Sequence, residues 1–247
     1  MNYLNKLVNS LNKKPLTTDE FNNILQKSDT FFESVELEKE LLLLNGLPLY
    51  FNNDKVYLKT ANTNIKDQTF CIVDIETTAG NAKDGQIIEI GAVKMKNGHI
   101  IERYDSLVTA NHIPRNIQQI TGITEDMVKD APNLKDVLEE FKLFLEDDIF
   151  VAHAISFDYK FISDSLKKYD LGELCNRKLC TIDLSKRVIE TERYGLKYLK
   201  KFLNINIENH HRAFSDAIST SYILDYCLTH LPCKIENTEE LLKFSLD

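Results

Sequence analysis

Two carboxylates close an otherwise apolar run, Phe70-Cys71-Ile72-Val73-Asp74-Ile75-Glu76-Thr77-Thr78. The run has the length of a strand, expected over residues 69–75, and side chains along a strand alternate between its faces. Asp74 and Glu76 therefore share one face, at the mouth of a buried strand. Two carboxylates in low-dielectric surroundings repel each other unless positive charge compensates them. Hard divalent cations such as Mg²⁺ prefer oxygen ligands and meet that need. Taken alone, an Asp-x-Glu pair is more often a solvated surface feature; the apolar flanks set this one apart.

The surrounding pattern predicts an α/β domain. Residues 86–96 and 99–108 read as strands joined by the turn Lys96-Asn97-Gly98. Residues 133–145 form a periodic amphipathic helix, 149–152 a short buried strand, 156–169 a helix and 179–182 a further strand. Helical segments follow near 183–189 and 196–203, and residues 213–230 make a long final helix. An antiparallel set followed by alternating strands and helices implies a mixed sheet flanked by helices. Asp158 falls near the start of the 156–169 helix, where the dipole favours a carboxylate, so a capping role is open to it. His211 lies just before the final helix and Asp216 in its first turns, able to face one site. Each alone is as readily structural.

Together these residues carry more weight. Val73-Asp74-Ile75-Glu76-Thr77-Thr78, then Val151-Ala152-His153 leading to Phe157-Asp158 and Phe161-Ile162, then His211-Arg212-Ala213 followed by Asp216-Ala217 occur in that order. Between them stand Ile120-Thr121-Gly122-Ile123-Thr124, Met127-Val128 and Ala131-Pro132. The chain resembles the DEDDh 3′–5′ exonucleases over residues 69–230, and within them the proofreading epsilon subunits of bacterial DNA polymerase III. The resemblance implies an RNase H-like fold. Two positions depart from the family pattern. Ala79 stands before Gly80 where the family often has Gly directly after the second Thr, and Ala154 replaces the usual Asn after His153.

The resemblance also implies a mechanism. Asp74, Glu76, Asp158 and Asp216 would hold two divalent metal ions, Mg²⁺ or Mn²⁺, and His211 would be the general base that deprotonates the attacking water. The products would be nucleoside 5′-monophosphates. Backbone amides after the first motif would hold the 3′-terminal nucleotide, which makes Thr77 and Thr78 candidates, although both residues can simply end the strand. Ile120 is a candidate apolar wall and Phe157 a candidate stacking platform; a turn anchored by Gly122 and core packing are the alternatives. Arg212 either meets a phosphate or caps the helix region. The implied substrate is a single-stranded or frayed 3′ end of DNA, with RNA open, and the implied partner is a DNA polymerase III catalytic subunit. A stand-alone exonuclease trimming RNA or single-stranded DNA is the second reading, and a non-catalytic docking protein the third.

Residues 1–66 read as a separate module, with helices over 2–12, 18–27 and 35–45. Thr17-Thr18-Asp19-Glu20 supplies a capping-box pattern, and Ser34 an N-cap. A hairpin follows around Asn52-Asn53-Asp54. Three helices and a hairpin are winged-helix-like, but the third helix carries Glu36, Glu38 and Glu40 against Lys39. That face would repel phosphates, which favours protein docking or packing over DNA reading. Residues 61–64 are a candidate linker, 67–232 the catalytic domain and 233–247 a C-terminal tail. Leu241-Leu242-Lys243-Phe244-Ser245-Leu246 in that tail is either a clamp-binding peptide or a terminal amphipathic helix turn.

Composition narrows the classes further. The net charge of −8 argues against coating nucleic acid by bulk positive charge. No stretch approaches the roughly 20 apolar residues of a membrane span, and the first residues lack a signal-peptide core, so a cytoplasmic protein without membrane contact is expected. Cys71, Cys175, Cys180, Cys227 and Cys233 include no Cys-x-x-Cys pair, which predicts reduced thiols and no zinc site.

Overall fold

The computed structural model describes residues 3–27, 34–207 and 211–246. The expected helix start at Asn2 and the last residue of the tail, Asp247, lie outside them. The N-terminal elements are α1 (Tyr3–Lys13), β1 (Leu16–Thr17), α2 (Thr18–Leu25), α3 (Val35–Leu44), β2 (Leu49–Asn52), β3 (Lys55–Leu58) and α4 (Lys59–Asn62). The Thr17 side chain accepts from the Glu20 amide while Glu20 accepts from the Thr17 amide, so the capping box closes as its sequence dictates. Ser34 accepts from the Leu37 amide at the start of α3. Strands β1 and β2 flank β3 in a small antiparallel sheet, with Asn53 left-handed at the hairpin turn.

The remaining elements are β4 (Thr69–Thr77), β5 (Ile87–Lys96), β6 (His99–Leu107), α5 (Arg115–Thr121), α6 (Glu125–Val128), α7 (Leu134–Leu145) and β7 (Ile149–Ala152). They continue through α8 (Ser156–Lys168), β8 (Lys178–Cys180), α9 (Thr181–Val188), α10 (Leu196–Phe202), α11 (Ala213–Thr229) and α12 (Thr238–Leu246). The five strands lie in the order β6-β5-β4-β7-β8. Strands β4, β5 and β6 are antiparallel, whereas β7 and β8 run parallel to β4, which gives the mixed sheet. Cys71, Val73 and Ile75 pack on one face with Val137, Phe141 and Phe161 from α7 and α8. Phe70 and Ile72 pack on the other with Leu184, Ile223, Leu224 and Leu241 from α9, α11 and α12. The strand expected over 179–182 stops at Cys180, because Thr181 already opens α9.

Two segments differ from expectation. The candidate linker over 61–64 is ordered. Thr60, buried in α4, donates to Glu239 at 2.6 Å, and Asn64 bridges Asn237. The segment read as a tail is likewise packed: residues 238–246 form helix α12, the helical one of the two readings of 241–246, which buries Leu241 and Leu242 and whose Glu239 is gripped by Arg177 through two bonds of 2.7 Å. The N-terminal elements also lean on the rest of the chain. Cys175 joins their core, its amide donates to the Asn45 carbonyl at 2.7 Å, and the backbone at Gly46 lies hard against Asn176. All five cysteines are free thiols. Among the described residues, no helix is long and apolar enough to cross a membrane.

Candidate active site

The end of β4 sets the first two acids. Alternation from the buried Phe70 and Ile72 carries Asp74 and Glu76 onto the α11 face, where they stand opposite Gly91 and Glu89 of β5. The ladder slips between Glu76 and Thr77, and the strand ends one residue on, at Thr77 paired with Ile87. Parallel pairing of β4 with β7 brings their carboxyl ends together, and α8 begins just beyond β7. Asp158 is buried in the first turn of α8, close enough to the end of β4 for the Ile75 backbone to act on its charge.

Helix α11 supplies the rest. A Cβ added to Gly91 would lie 2.1 Å from the Phe214 nitrogen and 2.3 Å from the Ala213 carbonyl carbon. The bare glycine therefore lets the first turn of α11 rest directly on the sheet, across from Asp74. Glu89, with no exposed surface, fixes that turn: its carboxylate accepts from Arg212 (2.6 Å at Nη2, 3.0 Å at Nε) and from the Ala213 amide at 2.8 Å. Of the two roles open to Arg212, this is the one at the helix start. The His211 amide donates to Asp216 Oδ2 at 3.1 Å, with His211 in a left-handed conformation, so the loop residue and the helical acid are held together.

The five expected residues converge. Glu76, His211 and Asp216 each offer a ligand atom, and the three atoms lie within 4.8 Å of one another. Asp158, Asp216 and Glu76 all act on the charge of Asp74. Burial first, and then those three acids, push its carboxyl well above the usual range. Burial raises Glu76 to about 8, helped by Glu89 and Asp216. Burial raises Asp158 to about 7, against the opposing pull of the backbone at Asp158 and Ile75. Two nearby cations among the described residues have partners of their own: Arg212 bonds Glu89, and the Lys200 ammonium, which feels Asp216, bonds the Ile207 carbonyl. Oxygen-rich donors with one imidazole and an excess of negative charge fit hard divalent cations.

The candidate substrate residues are placed differently. The Thr78 amide and hydroxyl are both engaged with Gln86, and the Thr77 hydroxyl donates to the Ala79 carbonyl. Both threonines thus clasp the loop that follows β4. Phe157 is 39% exposed, packs against Phe161 and lines a cavity of about 240 Å³ with Gly80, Ala82 and Lys160. Ile120 is 52% exposed on α5, while Gly122 caps that helix left-handed, as the turn reading requires. His153 Nδ1 bonds the Thr181 hydroxyl at 2.9 Å, and burial lowers its pKa to about 4, which keeps the ring neutral near pH 7. Reading from sequence misses Glu89, Gly91 and Lys200. A signal for the first two exists, since Ile87-Ile88-Glu89-Ile90-Gly91-Ala92-Val93 holds a lone acid and a lone glycine in an apolar strand.

Comparison with known proteins agrees with this geometry. The RNase_T model, described as Exonuclease, matches residues 71–224. DNA polymerase III PolC-type of Oceanobacillus iheyensis is 36% identical over 185 residues, covering 74% of this chain and 12% of that protein. The same protein of Staphylococcus aureus is 37% identical over 186 residues, with the same coverage. The chain thus spans 12% of the length of these curated relatives. Among solved structures, Exonuclease X in complex with 5′-overhanging duplex DNA is 26% identical, with a TM-score of 0.58, over 71% of this chain and 99% of its own. Escherichia coli Exonuclease I with a dA16 oligonucleotide, at 16% identity and a TM-score of 0.60 over 67% of this chain and 42% of its own, shares the fold.

Proposed function

The chain belongs to the exonuclease family, and from that premise we propose that it is a metal-dependent 3′–5′ exonuclease releasing nucleoside 5′-monophosphates from DNA. The observation that carries this reading is the meeting of Asp74, Glu76, Asp158 and Asp216 with His211 beside the carboxyl ends of β4 and β7. The four carboxylates would hold two ions, Mg²⁺ or Mn²⁺, which when bound supply charge stabilisation at the attacking and leaving oxygens. His211 takes the proton of the attacking water, a task for which imidazole is suited because it exchanges protons near neutral pH. Glu89 and Arg212 keep the start of α11 in place, so that His211 and Asp216 stay in register with β4. Phe157 and Ile120 offer exposed apolar surface to the terminal base, whose stacking is worth about 1–3 kcal/mol and tolerates any sequence. Thr77 and Thr78 act by shaping the loop after β4.

Likeness to PolC-type polymerases supports a cytoplasmic proofreading setting beside a DNA polymerase III catalytic subunit. The acidic chain suits an enzyme brought to a 3′ end by a partner. The test is digestion of matched 5′-labelled DNA and RNA oligomers, single-stranded and with a mismatched 3′ end, in Mg²⁺, in Mn²⁺ and in EDTA. Stepwise shortening from the 3′ end that needs metal, is faster on DNA and is faster at the mismatch is the expected result. Faster trimming of RNA would favour the stand-alone reading. Absence of hydrolysis with either metal would refute the enzyme.

A further inference from the structure

Helix α10 differs from the rest of the chain in its charge. The 15 residues Arg193–Ile207 hold Arg193, Lys197, Lys200 and Lys201 and no acid, in a chain of net charge −8. Glu190 and Glu192 stand just before this stretch, next to Arg193. At about 100° per residue, Lys197, Lys201, Tyr198 and Phe202 share one face of α10, and all four are exposed. Among the described residues no acid forms an ion pair with either of these lysines. Tyr198 and Phe202 lie nearly parallel, 16° between their planes and 6.5 Å between centroids. Tyr194, Leu196 and Leu203 around them pack against the core, whereas these two rings stay 36% and 48% exposed. The opposite face of α10 locates this surface. Leu199 enters the same core as Ala217, the neighbour of Asp216, and α10 packs on α11. Lys200 Nζ donates to the Ile207 carbonyl at 2.9 Å, and Asp216 acts on its charge. The basic, aromatic face therefore borders the carboxylate cluster on its α11 side.

We propose that Lys197, Tyr198, Lys201 and Phe202 bind the single strand of DNA that leads to the 3′ end cleaved at the carboxylate cluster, an inference that rests on the exonuclease reading. The two lysines are displaced by about 6 Å along the helix axis, room for one phosphate each. Bases stack on exposed aromatic rings whatever their sequence. Both chemistries of a single strand, charged backbone and flat bases, thus meet a counterpart on one helix face. An acidic polypeptide would match the lysines and leave the rings unused, and a second copy of this acidic chain would bring mainly carboxylates. The local cation cluster also explains how an acidic chain can hold a strand without bulk positive charge.

The probes are a labelled thymidine 20-mer and a thymidine dinucleotide, used with the full chain. The dinucleotide occupies only the carboxylate cluster, whereas the 20-mer extends onto α10. kcat/KM is measured on both in Mg²⁺, and fluorescence anisotropy gives the affinity for the 20-mer in EDTA. Wild type should prefer the 20-mer at least tenfold. Lys197→Gln with Lys201→Gln should cut that preference at least fivefold, through KM on the 20-mer. The same variant should flatten the slope of log affinity against log salt by about 1.4, at about 0.7 per phosphate contact on a single strand. Altered only at exposed positions, it should keep the wild-type melting temperature. Tyr198→Ala should weaken 20-mer binding about fivefold or more and leave the salt slope as it is. A wild type without preference for the 20-mer, a preference and salt slope unchanged by the lysine substitutions, or displacement of the 20-mer by polyglutamate as readily as by unlabelled 20-mer would each overturn the proposal. Hydrolysis of neither probe would instead refute the exonuclease reading, with the 20-mer affinities still deciding the role of α10.

Discussion

Replacing Asp74 by Asn tests the charge balance of the site independently of catalysis. In the metal-free chain Asp74, Glu76, Asp158 and Asp216 crowd together, and burial raises the first three. A carboxyl whose folded pKa is raised favours the folded state while protonated. Its penalty is absent below the unfolded pKa of about 4, grows as pH rises, and is complete above the folded value. For Glu76, raised from 4.5 to about 8, a tenfold change in acidity is worth about 1.4 kcal/mol, which sets a ceiling of about 5 kcal/mol. The acids titrate as a set, so removing one charge relieves part of that, about 2 kcal/mol at pH 8. For a chain of this length that corresponds to a melting temperature roughly 4–8 °C above wild type in EDTA. At pH 4.5 the gap should nearly vanish. Saturating Mg²⁺ should reverse the order, because ligand binding stabilises the wild type by RT ln(1 + [L]/Kd). Nuclease activity should fall at least about 10³-fold in the variant, since charge stabilisation is the main catalytic term. Differential scanning calorimetry at both pH values, with and without metal, reads all of this. An Asn variant that melts at or below wild type in EDTA at pH 8, or a gap unchanged at pH 4.5, would refute the reasoning.

Gly91→Ala should force the first turn of α11 off the sheet, because the clash is with backbone at 2.1 Å. A loss of about 2–3 kcal/mol is expected from overpacking, together with about a 10²-fold fall in kcat from misplaced His211 and Asp216; calorimetry and oligonucleotide digestion check the two. Arg212→Gln leaves Glu89 buried without its counter-charge and should cost about 3 kcal/mol or more. Adding Glu89→Gln should restore much of it, so a double variant no more stable than Arg212→Gln in chemical denaturation would contradict the pairing. Ala154 sits at φ +74°, where a Cβ is strained, so Ala154→Gly should gain about 0.5–1 kcal/mol and raise the melting temperature. A lower one would show that the Ala side chain makes a compensating contact.

The helices of the first sixty residues are legible because their signals are local: the Thr17–Glu20 box and the Ser34 cap are satisfied within three residues. The shared face of Asp74 and Glu76 is legible because alternation fixes it before any partner is known. What escapes is the meaning of residues whose partners lie far along the chain. Glu89 is a visible acid in an apolar strand, yet only the fold brings Arg212 and Ala213 to it. Gly91 looks like a weakness in a strand until α11 is laid across it. Residues 61–64 read as a linker, because the partners that order this stretch, Glu239 on the neighbouring Thr60 and Asn237 on Asn64, lie more than 170 residues further along the sequence.

The grip of Thr60 and Arg177 on Glu239 bears on how the molecule is born. The first helices emerge from the ribosome long before Cys175, which belongs to their core, and the seam beside α4 waits for α12, whose Glu239 follows Thr60 by 179 residues. A nascent chain stalled short of residue 238 would leave uncovered the flank of α9 and β8 that α12 packs on, a target for chaperones or proteases until those residues are made.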